Sequence, residues 1–434
     1  MTPVTAGLVG IVLLLLLFLL RMPVAFAMAL VGFVGFAYLA DPGPALSLLA
    51  QDIFETFSSY PLSVIPMFIL MGTFAFASGI SQRLYVTTYA WVGGLRGGLT
   101  IATVLACAGF AAICGSTAAT AATMGQIALP EMKKYGYDST LATGTVAASG
   151  ALGILIPPST IFIVYGILTE ESIGKLFVAG VLPGLLLSFL FVMVVVVLCW
   201  RNPNLGPPGN STTWAQKIKA FGGIVEAVVL FILTIGGLFL GWFSPTQAGA
   251  IGAGGALIIG LARRKLTWKS FVKAGQEGLG TACMVLFIIT GATVFGHFLA
   301  VSTIPFILAD WIANLPIPPL AVMGVMIFIY FLGGFFMDSM ALVVVTIPIF
   351  FPVVQQLGFD PIWFGVIIVL VAEMGVITPP VGVNVFVIKG IAPEIPLHII
   401  FKGIFPFLGA LIILTILLMF FPQIATFLPS MVTY

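Results

Sequence analysis

Four short polar segments interrupt the long apolar runs of this sequence, at 114–117, 156–160, 337–340 and 378–384. Proline, glycine and hydroxyl residues in such a run break a membrane helix and free backbone groups that lipid cannot satisfy. Unwound carbonyls and side-chain oxygens can coordinate Na⁺, and the N-termini of half-helices attract anions. We therefore expect these segments to form a site for a cation and an anion. The candidate residues are Gly115, Ser116, Thr117, Pro157, Pro158, Ser159, Met337, Asp338, Ser339, Thr378, Pro379, Gly382 and Asn384.

Asp338 is the side chain that most strongly indicates a function. A carboxylate within a membrane span costs about 2.5–3.5 kcal/mol by insertion scales, so it is usually retained for a role. A bound Na⁺ would offset this cost, and the structural alternative is a hydrogen-bond acceptor that closes a helix turn. Glu373 is also intramembrane, and it is either a packing group or a coupling residue. For Ser116 and Thr117 the alternative is helix capping, and for each Pro–Pro pair it is a simple kink.

Composition identifies lipid as the solvent of this chain. Of its 434 residues, 61% are hydrophobic and 7% are charged, whereas soluble domains carry about 25% charged residues. The apolar runs are continuous and lack the alternation of barrel strands, so we expect an all-α polytopic membrane protein. Segment 8–20 lacks a basic start and a cleavage pattern, and we interpret it as a retained first helix rather than a signal peptide.

Few residues indicate covalent or metal chemistry. The cysteines show no CxxC spacing, so we expect them to be small buried hydrophobic groups. His297 and His398 are far apart, and we expect both to be structural. No nucleotide-binding motif is present, so energy for any transport must come from an ion gradient. We expect no enzyme activity, no organic cofactor and no nucleic-acid partner.

The positive charges predict the topology, because short cytoplasmic loops collect Lys and Arg. Clusters at 201–219 and 263–273 are separated by two spans, and both are assigned to the cytoplasm. Counting from them leaves only Lys175 of the sixteen basic residues outside. The predicted crossings are 23–40, 62–80, 139–168, 176–199, 221–241, 245–262, 280–300, 361–388 and 403–428.

Two interrupted apolar segments do not cross the membrane under this assignment. Segment 98–134 has basic residues at both ends, so we predict an inward-side re-entrant hairpin, and 318–356 is its outward-side counterpart. Residues 44–60 carry one apolar stripe and predict a helix in the outer interface, with 266–276 as a shorter basic counterpart inside. The Pro- and Gly-rich stretch 201–213 predicts a linker between halves.

An internal repeat organises the chain. With an offset of 222 positions, Ala119, Pro130, Gly136, Asp138, Gly153, Pro157 and Pro158 recur as Ala341, Pro352, Gly358, Asp360, Gly375, Pro379 and Pro380. An odd number of predicted crossings separates the copies, so the second copy is inverted. Inverted repeats with broken helices are typical of secondary transporters. In this arrangement each hairpin tip can meet the break of its own half near the midplane.

The predicted organisation has four parts. They are 1–60, with N-terminal scaffold helices and the outer interfacial arm; 61–200, the first repeat with hairpin 98–134 and broken helix 139–168; 201–279, with the linker, scaffold helices and the inner interfacial arm; and 280–434, the second repeat with hairpin 318–356 and broken helix 361–388.

An intramembrane enzyme and a channel are the alternatives to a transporter. An aspartyl protease needs two facing carboxylates, and Asp338 has only Glu373 as a candidate partner. A metalloprotease needs an HExxH motif, which the sequence lacks. A channel would not need two opposite-facing hairpins.

Three segments resemble one transporter family. Residues 150–159, 337–339 and 375–382 are similar to the large membrane subunit of tripartite ATP-independent periplasmic (TRAP) transporters. The length, the repeat and the Gly-Phe-Asp loop at 358–360 fit this family over essentially the whole chain. The resemblance implies an elevator-type ion transporter of the bacterial inner membrane, with a scaffold and a moving domain that holds both hairpins.

The resemblance also implies partners and a coupling ion. Such subunits work with a small membrane subunit of about four helices and with a periplasmic binding protein that delivers the substrate. Transport is driven by a Na⁺ gradient, and substrates are organic acids such as C4-dicarboxylates, keto acids or sugar acids. The family's sodium sites map onto Ser116, Pro157, Asp338 and Thr378. The alternative is a stand-alone sodium/organic-anion symporter that needs no binding protein.

Overall fold

The computed structural model describes residues 1–431, and no strand occurs among them. The all-α expectation is confirmed. Within this range, seven helices or helical runs are long and apolar enough to cross a membrane, and a bent pair, Pro42–Ser58 with Pro61–Ala77, adds an eighth candidate. The apolar composition therefore produces a bundle of lipid-length helices, as required where no water satisfies the backbone.

The N-terminal part contains five helices. They are α1 (Pro3–Leu19), α2 (Val24–Leu39), α3 (Pro42–Ser58), α4 (Val64–Ala77) and α5 (Ile80–Val92). α3 corresponds to the predicted outer arm, and it meets the following run Pro61–Ala77 at a bend of 55°. Pro61 begins a short 3-10 turn at this corner, which separates the arm from the span.

The first repeat contains a hairpin and a broken helix. Its helices are α6 (Gly98–Cys114), α7 (Thr117–Lys134), α8 (Ser139–Ser149), α9 (Leu152–Leu155), α10 (Thr160–Thr169) and α11 (Ile173–Arg201). Gly115 adopts a left-handed φ of 64° at the hairpin tip, where a side chain would be strained. α6 and α7 therefore reverse direction over two residues.

The connecting part contains the helices that frame the hairpins. They are α12 (Trp214–Phe221), α13 (Val225–Phe231), the π-helical turn Ile232–Gly236, α14 (Gly237–Phe239), α15 (Pro245–Ala262), α16 (Trp268–Ser302) and α17 (Ile304–Ala313). α4 packs against both α15 and α16, and α2 packs along α16. α4 thus lies between α15 and α16, and α17 packs against α19 of the second hairpin.

The second repeat follows the first, except that α20 runs unbroken where the first repeat has α8 and α9. Its helices are α18 (Pro319–Gly333), α19 (Ser339–Gln356), α20 (Pro361–Ile377) and α21 (Val383–Ile391), followed by α22 (Leu397–Phe420) and α23 (Gln423–Ser430). α7 and α19 begin and end 222 positions apart, and so do the starts of α8 and α20. Both Pro–Pro pairs are cis. The predicted repeat is therefore present in the helix boundaries themselves.

Two boundary predictions were wrong. Residues 266–276 do not form a separate inner arm, because α16 runs without a break from Trp268 to Ser302. No proline lies in that range, and its glycines do not end the helix. The predicted last span, 403–428, also divides: α22 ends at Phe420, and Pro422 precedes α23.

The predicted linker is not a loose segment. Residues 201–213 pack back on the base of the first hairpin, where Gly97 donates to the carbonyl of Gly206 at 2.8 Å. Gly209 donates to the carbonyl of Gly93 at 2.9 Å. The linker therefore fixes the start of α6 in addition to connecting the repeats.

Candidate functional site

A central cavity of 460 Å³ lies between the hairpin tips and the helices α4 and α16. One wall consists of both tips, including Ser116, Thr117, Asp338 and Ser339. The other wall comes from α4 and α16. The two tips, which are far apart in sequence, are thus brought to one space.

Four helices begin at this cavity. Thr117, Thr160, Ser339 and Val383 are the first residues of α7, α10, α19 and α21, and all of them line it. The first turns of a helix carry unpaired N–H groups and a partial positive charge. This wall therefore carries four helix N-termini beside the Asp338 carboxylate, and no Lys or Arg occurs among the described lining residues of the cavity.

The first tip meets the first break, as expected. Thr160 donates from Oγ1 to the carbonyl of Gly115 at 3.0 Å. A Cβ at Gly115 would lie 2.6 Å from the carbonyl oxygen of Pro158, so only glycine permits this approach. Pro157 and Pro158 are buried beneath the tip. Ser159 is fully buried and accepts from the Phe162 N–H at 3.3 Å, so it caps α10.

Ser116 and Asp338 occupy equivalent positions in the repeat, and both cap a helix. Ser116 Oγ accepts from the Ala119 N–H at 3.4 Å. Asp338 Oδ1 accepts from the N–H groups of Met340 and Ala341 at 2.9 and 3.2 Å. Ser116 and Asp338 therefore both act as N-caps of their helices. The Asp338 side chain is nevertheless exposed to the cavity, where a ligand can reach it.

The second tip does not close over the second break, which corrects the expectation of two equivalent contacts. Thr378 donates its hydroxyl to the carbonyls of Met374 and Gly375 in its own helix, at 3.0 and 2.9 Å. Pro379 and Pro380 are exposed. No hydrogen bond joins Asp338 to this break within residues 1–431. The first break is thus covered by its hairpin tip and the second break is not. The sequence repeat does not predict this difference.

The second tip instead packs against α20 one turn before the break. A Cβ at Gly375 would lie 2.4 Å from the Cα of Gly334, so the two backbones are in direct contact. Met337 is half-buried in the turn that leads to Asp338. Gly382 has a φ of 63° at the start of α21, and a Cβ there would lie 2.7 Å from the ring of Phe401. Glycine is required at both places.

Glu373 joins the two tips. It is 1% exposed, and its Oε1 accepts from Ser339 Oγ at 2.6 Å. Its Oε2 accepts from Thr117 Oγ1 at 2.9 Å. Thr117 and Ser339 are equivalent residues of the two hairpins, and a single carboxylate of the second repeat binds both. Both oxygens are thus partnered, as a buried carboxylate requires.

Asn384 extends this network to α21. Its Nδ2 donates to Thr117 Oγ1 at 3.1 Å and to the carbonyl of Ala147 at 3.2 Å. Its side chain is fully buried, and its Oδ1 has no hydrogen-bond partner among the described residues. A continuous path therefore runs from Ser339 through Glu373 and Thr117 to Asn384, and it crosses between the repeats.

Sequence reasoning missed the polar residues that lead away from the tips. They are Thr73 on α4, Thr123 and Gln126 on α7, and Glu277 and Thr281 on α16. On α7 the signal was present, because Ala119, Ala122, Thr123 and Gln126 form a stripe of small and polar residues at helical spacing. Such a stripe is typical of a helix that lines a wet cavity in a membrane protein.

The position of Glu277 indicates the direction in which the cavity extends. Its carboxylate lies 3.8 Å from the ammonium of Lys273, one helical turn earlier. Lys273 belongs to the basic cluster that the charge distribution assigns to the cytoplasm. The cavity therefore leads from the two tips toward the predicted cytoplasmic side.

The remaining residues that the sequence singled out are the cysteines and the histidines. The four cysteines are free, and Cys114 lines the cavity beside the first tip. His297 lies on α16, and its Nε2 is 3.2 Å from Asp52 Oδ1 of the arm helix α3. That contact holds the arm against the bundle, which fits a structural role.

Known proteins match nearly the whole chain. Residues 11–424 match the family described as "Tripartite ATP-independent periplasmic transporter, DctM component". The chain is 39% identical to a C4-dicarboxylate TRAP transporter large permease protein of Pseudomonas aeruginosa, over 88% of this chain and 89% of the relative. It is 30% identical to a sialic acid TRAP transporter large permease protein of Vibrio cholerae, over 94% and 95% of the two chains.

A solved structure shows the same fold at low identity. The YdaH transporter of Alcanivorax borkumensis superposes with a TM-score of 0.68 and 15% identity, covering 95% of this chain and 98% of that one. The arrangement of helices described above thus also occurs in a solved structure. The match over residues 11–424 and the 39% identity to a curated relative show that this multi-pass inner-membrane chain belongs to the DctM component family of tripartite ATP-independent periplasmic transporters.

Proposed function

We propose that this large permease imports an organic acid together with Na⁺. The observation that carries the proposal is the convergence of four helix N-termini and the Asp338 carboxylate on one cavity. N-terminal N–H groups bind a substrate carboxylate, and the exposed carboxylate favours a bound cation. A site that attracts both signs of charge fits an anion that moves with a cation.

Sodium ligands are proposed at the tips and breaks. Ser116 and Asp338 supply side-chain oxygens, Pro157 supplies a carbonyl, and Thr378 supplies its hydroxyl or carbonyl. A carbonyl that already accepts one hydrogen bond, such as that of Gly115, retains a second lone pair for an ion. A membrane potential of 100 mV contributes about 2.3 kcal/mol per net charge, so one or two Na⁺ beyond the substrate charge drive strong uptake.

The substrate class is proposed from the cavity and the relatives. A volume of 460 Å³ accommodates a small organic molecule. The names of the two relatives specify a C4-dicarboxylate and sialic acid, both of which are organic acids. We assign this chain a dicarboxylate, a keto acid or a sugar acid. Its carboxylate would face the first turns of α7 and α19.

The proposed transport cycle is an elevator movement with two partners. The hairpins and broken helices move as one body against α4, α15 and α16, and the present cavity corresponds to the inward-facing state. A small four-helix membrane subunit and a periplasmic binding protein complete the tripartite system. The binding protein delivers the acid at the outer face. Full transport after cross-linking of the hairpins to α4 or α16 would contradict this movement.

The proposal is tested by uptake in proteoliposomes. The chain is reconstituted with its genomically adjacent small subunit, and labelled organic acids are added outside with or without the binding protein and an inward Na⁺ gradient. Asp338→Asn is compared with Asp360→Asn, because both aspartates cap helices and only Asp338 lines the cavity. Loss of Na⁺-dependent uptake in the Asp338 variant alone is the expected result.

The other outcomes separate the alternatives. Uptake that needs Na⁺ but proceeds without the binding protein would favour the stand-alone symporter. Uptake indifferent to Na⁺ in the wild type would mean that the tips bind a different coupling ion. Equal losses in the two aspartate variants, with equal amounts of folded protein, would leave Asp338 with capping as its role.

A further inference from the structure

A second cavity, of 580 Å³, lies at the predicted cytoplasmic end of the scaffold. It is framed by α5, by α12 and by the loop between α15 and α16. Four basic side chains line it: Arg83, Lys219, Arg263 and Lys265. It shares no lining residue with the central cavity between the hairpin tips. Its basic lining therefore has no part in the transport site.

The charges around this cavity do not cancel. Glu226 on α13 is the acidic partner here, and it pairs with both Arg83 and Arg263; the Arg263 Nε contact is 2.6 Å. One carboxylate thus serves two guanidinium groups, and Lys219 and Lys265 have no acidic partner among the described residues. An excess of positive charge remains around a concave space, which is the electrostatic requirement of an anion site.

The cavity is held in shape by fixed contacts. Arg83 Nη1 also donates to the carbonyl of Ser78 at 3.2 Å, so its guanidinium is positioned from two sides. Thr87 Oγ1 donates to the carbonyl of Ala220 at 2.7 Å, which attaches α12 to α5. A Cβ at Gly223 would lie 2.7 Å from Thr87 Oγ1, so the close approach depends on glycine. These contacts keep the basic groups together.

The surroundings of the cavity match a lipid. α12 exposes Trp214, Ile218 and Phe221 on one face, and the ammonium of Lys217 lies 5.1 Å from the Trp214 ring centroid. Tryptophan and basic residues on an amphipathic helix are typical of the membrane interface. Val86, which is 54% exposed, lines the cavity itself. A charged head group and its acyl chains would thus find adjacent basic and apolar surfaces.

We propose that this cavity binds the phosphate group of an anionic phospholipid in the cytoplasmic leaflet. Arg83 and Arg263 hold the phosphate by their guanidinium groups, and Lys219 and Lys265 neutralise it from the open side. The acyl chains extend along Val86 and the apolar face of α12. A bound lipid would link α5, α12 and the α15–α16 loop, and thereby stabilise the scaffold.

The test is thermal unfolding of the full-length chain in detergent with added lipid. Phosphatidylglycerol is titrated against zwitterionic phosphatidylcholine and against inorganic phosphate. A ligand that binds only the folded state raises the unfolding temperature with its concentration. The variant Lys219→Gln/Lys265→Gln removes two charges from the cavity. The control Lys269→Gln/Lys402→Gln removes two exposed charges that do not line it.

Phosphatidylglycerol is expected to stabilise the wild type and the control pair, and phosphatidylcholine is not. In the cavity pair, the half-saturating concentration should rise about 30-fold, the value expected for two basic residues near an anionic surface. The proposed lipid site would be wrong if the cavity pair and the control pair had the same half-saturating concentration of phosphatidylglycerol. It would also be wrong if phosphatidylcholine stabilised the wild type as much as phosphatidylglycerol does. The same stabilisation by inorganic phosphate alone would overturn the lipid as the source of the phosphate.

Discussion

Thr117 donates a hydrogen bond of 2.9 Å to the carboxylate of Glu373, although 256 positions separate them. This bond ties the tip of the first hairpin to a helix of the second repeat. Because Ser339, the equivalent of Thr117, binds the other oxygen of the same carboxylate, both tips are hydrogen-bonded to one residue. We expect Glu373 to couple the two tips, because both tips contact the same element.

The first prediction concerns this shared carboxylate. Glu373→Ala leaves the hydroxyls of Thr117 and Ser339 without their acceptor, and each lost bond is expected to cost about 1 kcal/mol of unfolding free energy. Glu373→Gln retains one acceptor oxygen and should lose less stability, while uptake falls in both variants. Unfolding temperature and proteoliposome uptake are measured together. Glu131→Gln is the control, since that carboxylate is exposed on α7 and does not line the cavity.

A double-mutant cycle sharpens this test. Thr117→Val and Ser339→Ala each remove one donor to the same carboxylate, so their effects on stability should not add. Strict additivity of the two effects would show that the tips are energetically independent, and the coupling role of Glu373 would then be wrong.

The second prediction concerns the backbone contact beneath the second tip. Gly375→Ala places a Cβ 2.4 Å from the Cα of Gly334, and backbone cannot move aside cheaply. We expect a loss of about 1–3 kcal/mol of unfolding free energy from overpacking, with reduced uptake. Gly324→Ala on α18 is the control, because a Cβ there meets no atom within 4 Å. Similar stability of Gly375→Ala and Gly324→Ala would show that the second tip does not pack against α20.

The third prediction concerns movement of the first tip relative to α4. A Cβ at Gly72 would lie 2.9 Å from the carbonyl oxygen of Cys114. Gly72→Val should therefore disfavour this conformation by at least about 1 kcal/mol, and a mobile hairpin would shift away from α4. The readout is the alkylation rate of Cys114, which borders the cavity but is only 8% exposed here, in a Cys283→Ser background.

Alkylation should accelerate about fivefold for each 1 kcal/mol by which Gly72→Val destabilises the present conformation, because the population of the alternative conformation rises by that factor. Gly280→Val provides the matched comparison, since a Cβ at Gly280 meets nothing within 4 Å. An unchanged Cys114 rate, with folding intact, would argue against a hairpin domain that separates from α4.

The fourth prediction concerns the bond between the first tip and its break. Thr160→Val removes the donor to the Gly115 carbonyl and should cost about 1 kcal/mol. Thr160→Ser keeps the hydroxyl and should restore most of the stability. Thr169→Val tests the general cost of losing a buried threonine hydroxyl, because that hydroxyl bonds only within its own helix. Equal losses at both positions would mean that the contact adds nothing specific.

Local chemistry made many element boundaries predictable. The ends of α7 and α19 follow from Gly136 and Gly358, which adopt left-handed φ values of 71° and 73° just after the two helices, and their starts follow from the capping residues Ser116 and Asp338. Such signals depend on a few neighbouring residues, so they can be read without knowledge of the fold. The unbroken α16 was missed because a basic amphipathic stretch looks the same whether it ends or continues.

From the sequence by itself we could predict that lipid is the solvent, that the elements are helices, that the chain repeats, and where the four polar segments lie. Each of these properties depends on composition or on spacing along the chain. Only the tertiary structure decided which of these segments meet. Thr117 and Glu373 are brought together by packing between repeats, and the first break is covered while Pro379 and Pro380 are open. Two copies of one pattern encode one local fold, but their relative position is a property of the whole bundle, in which many weak contacts select one arrangement.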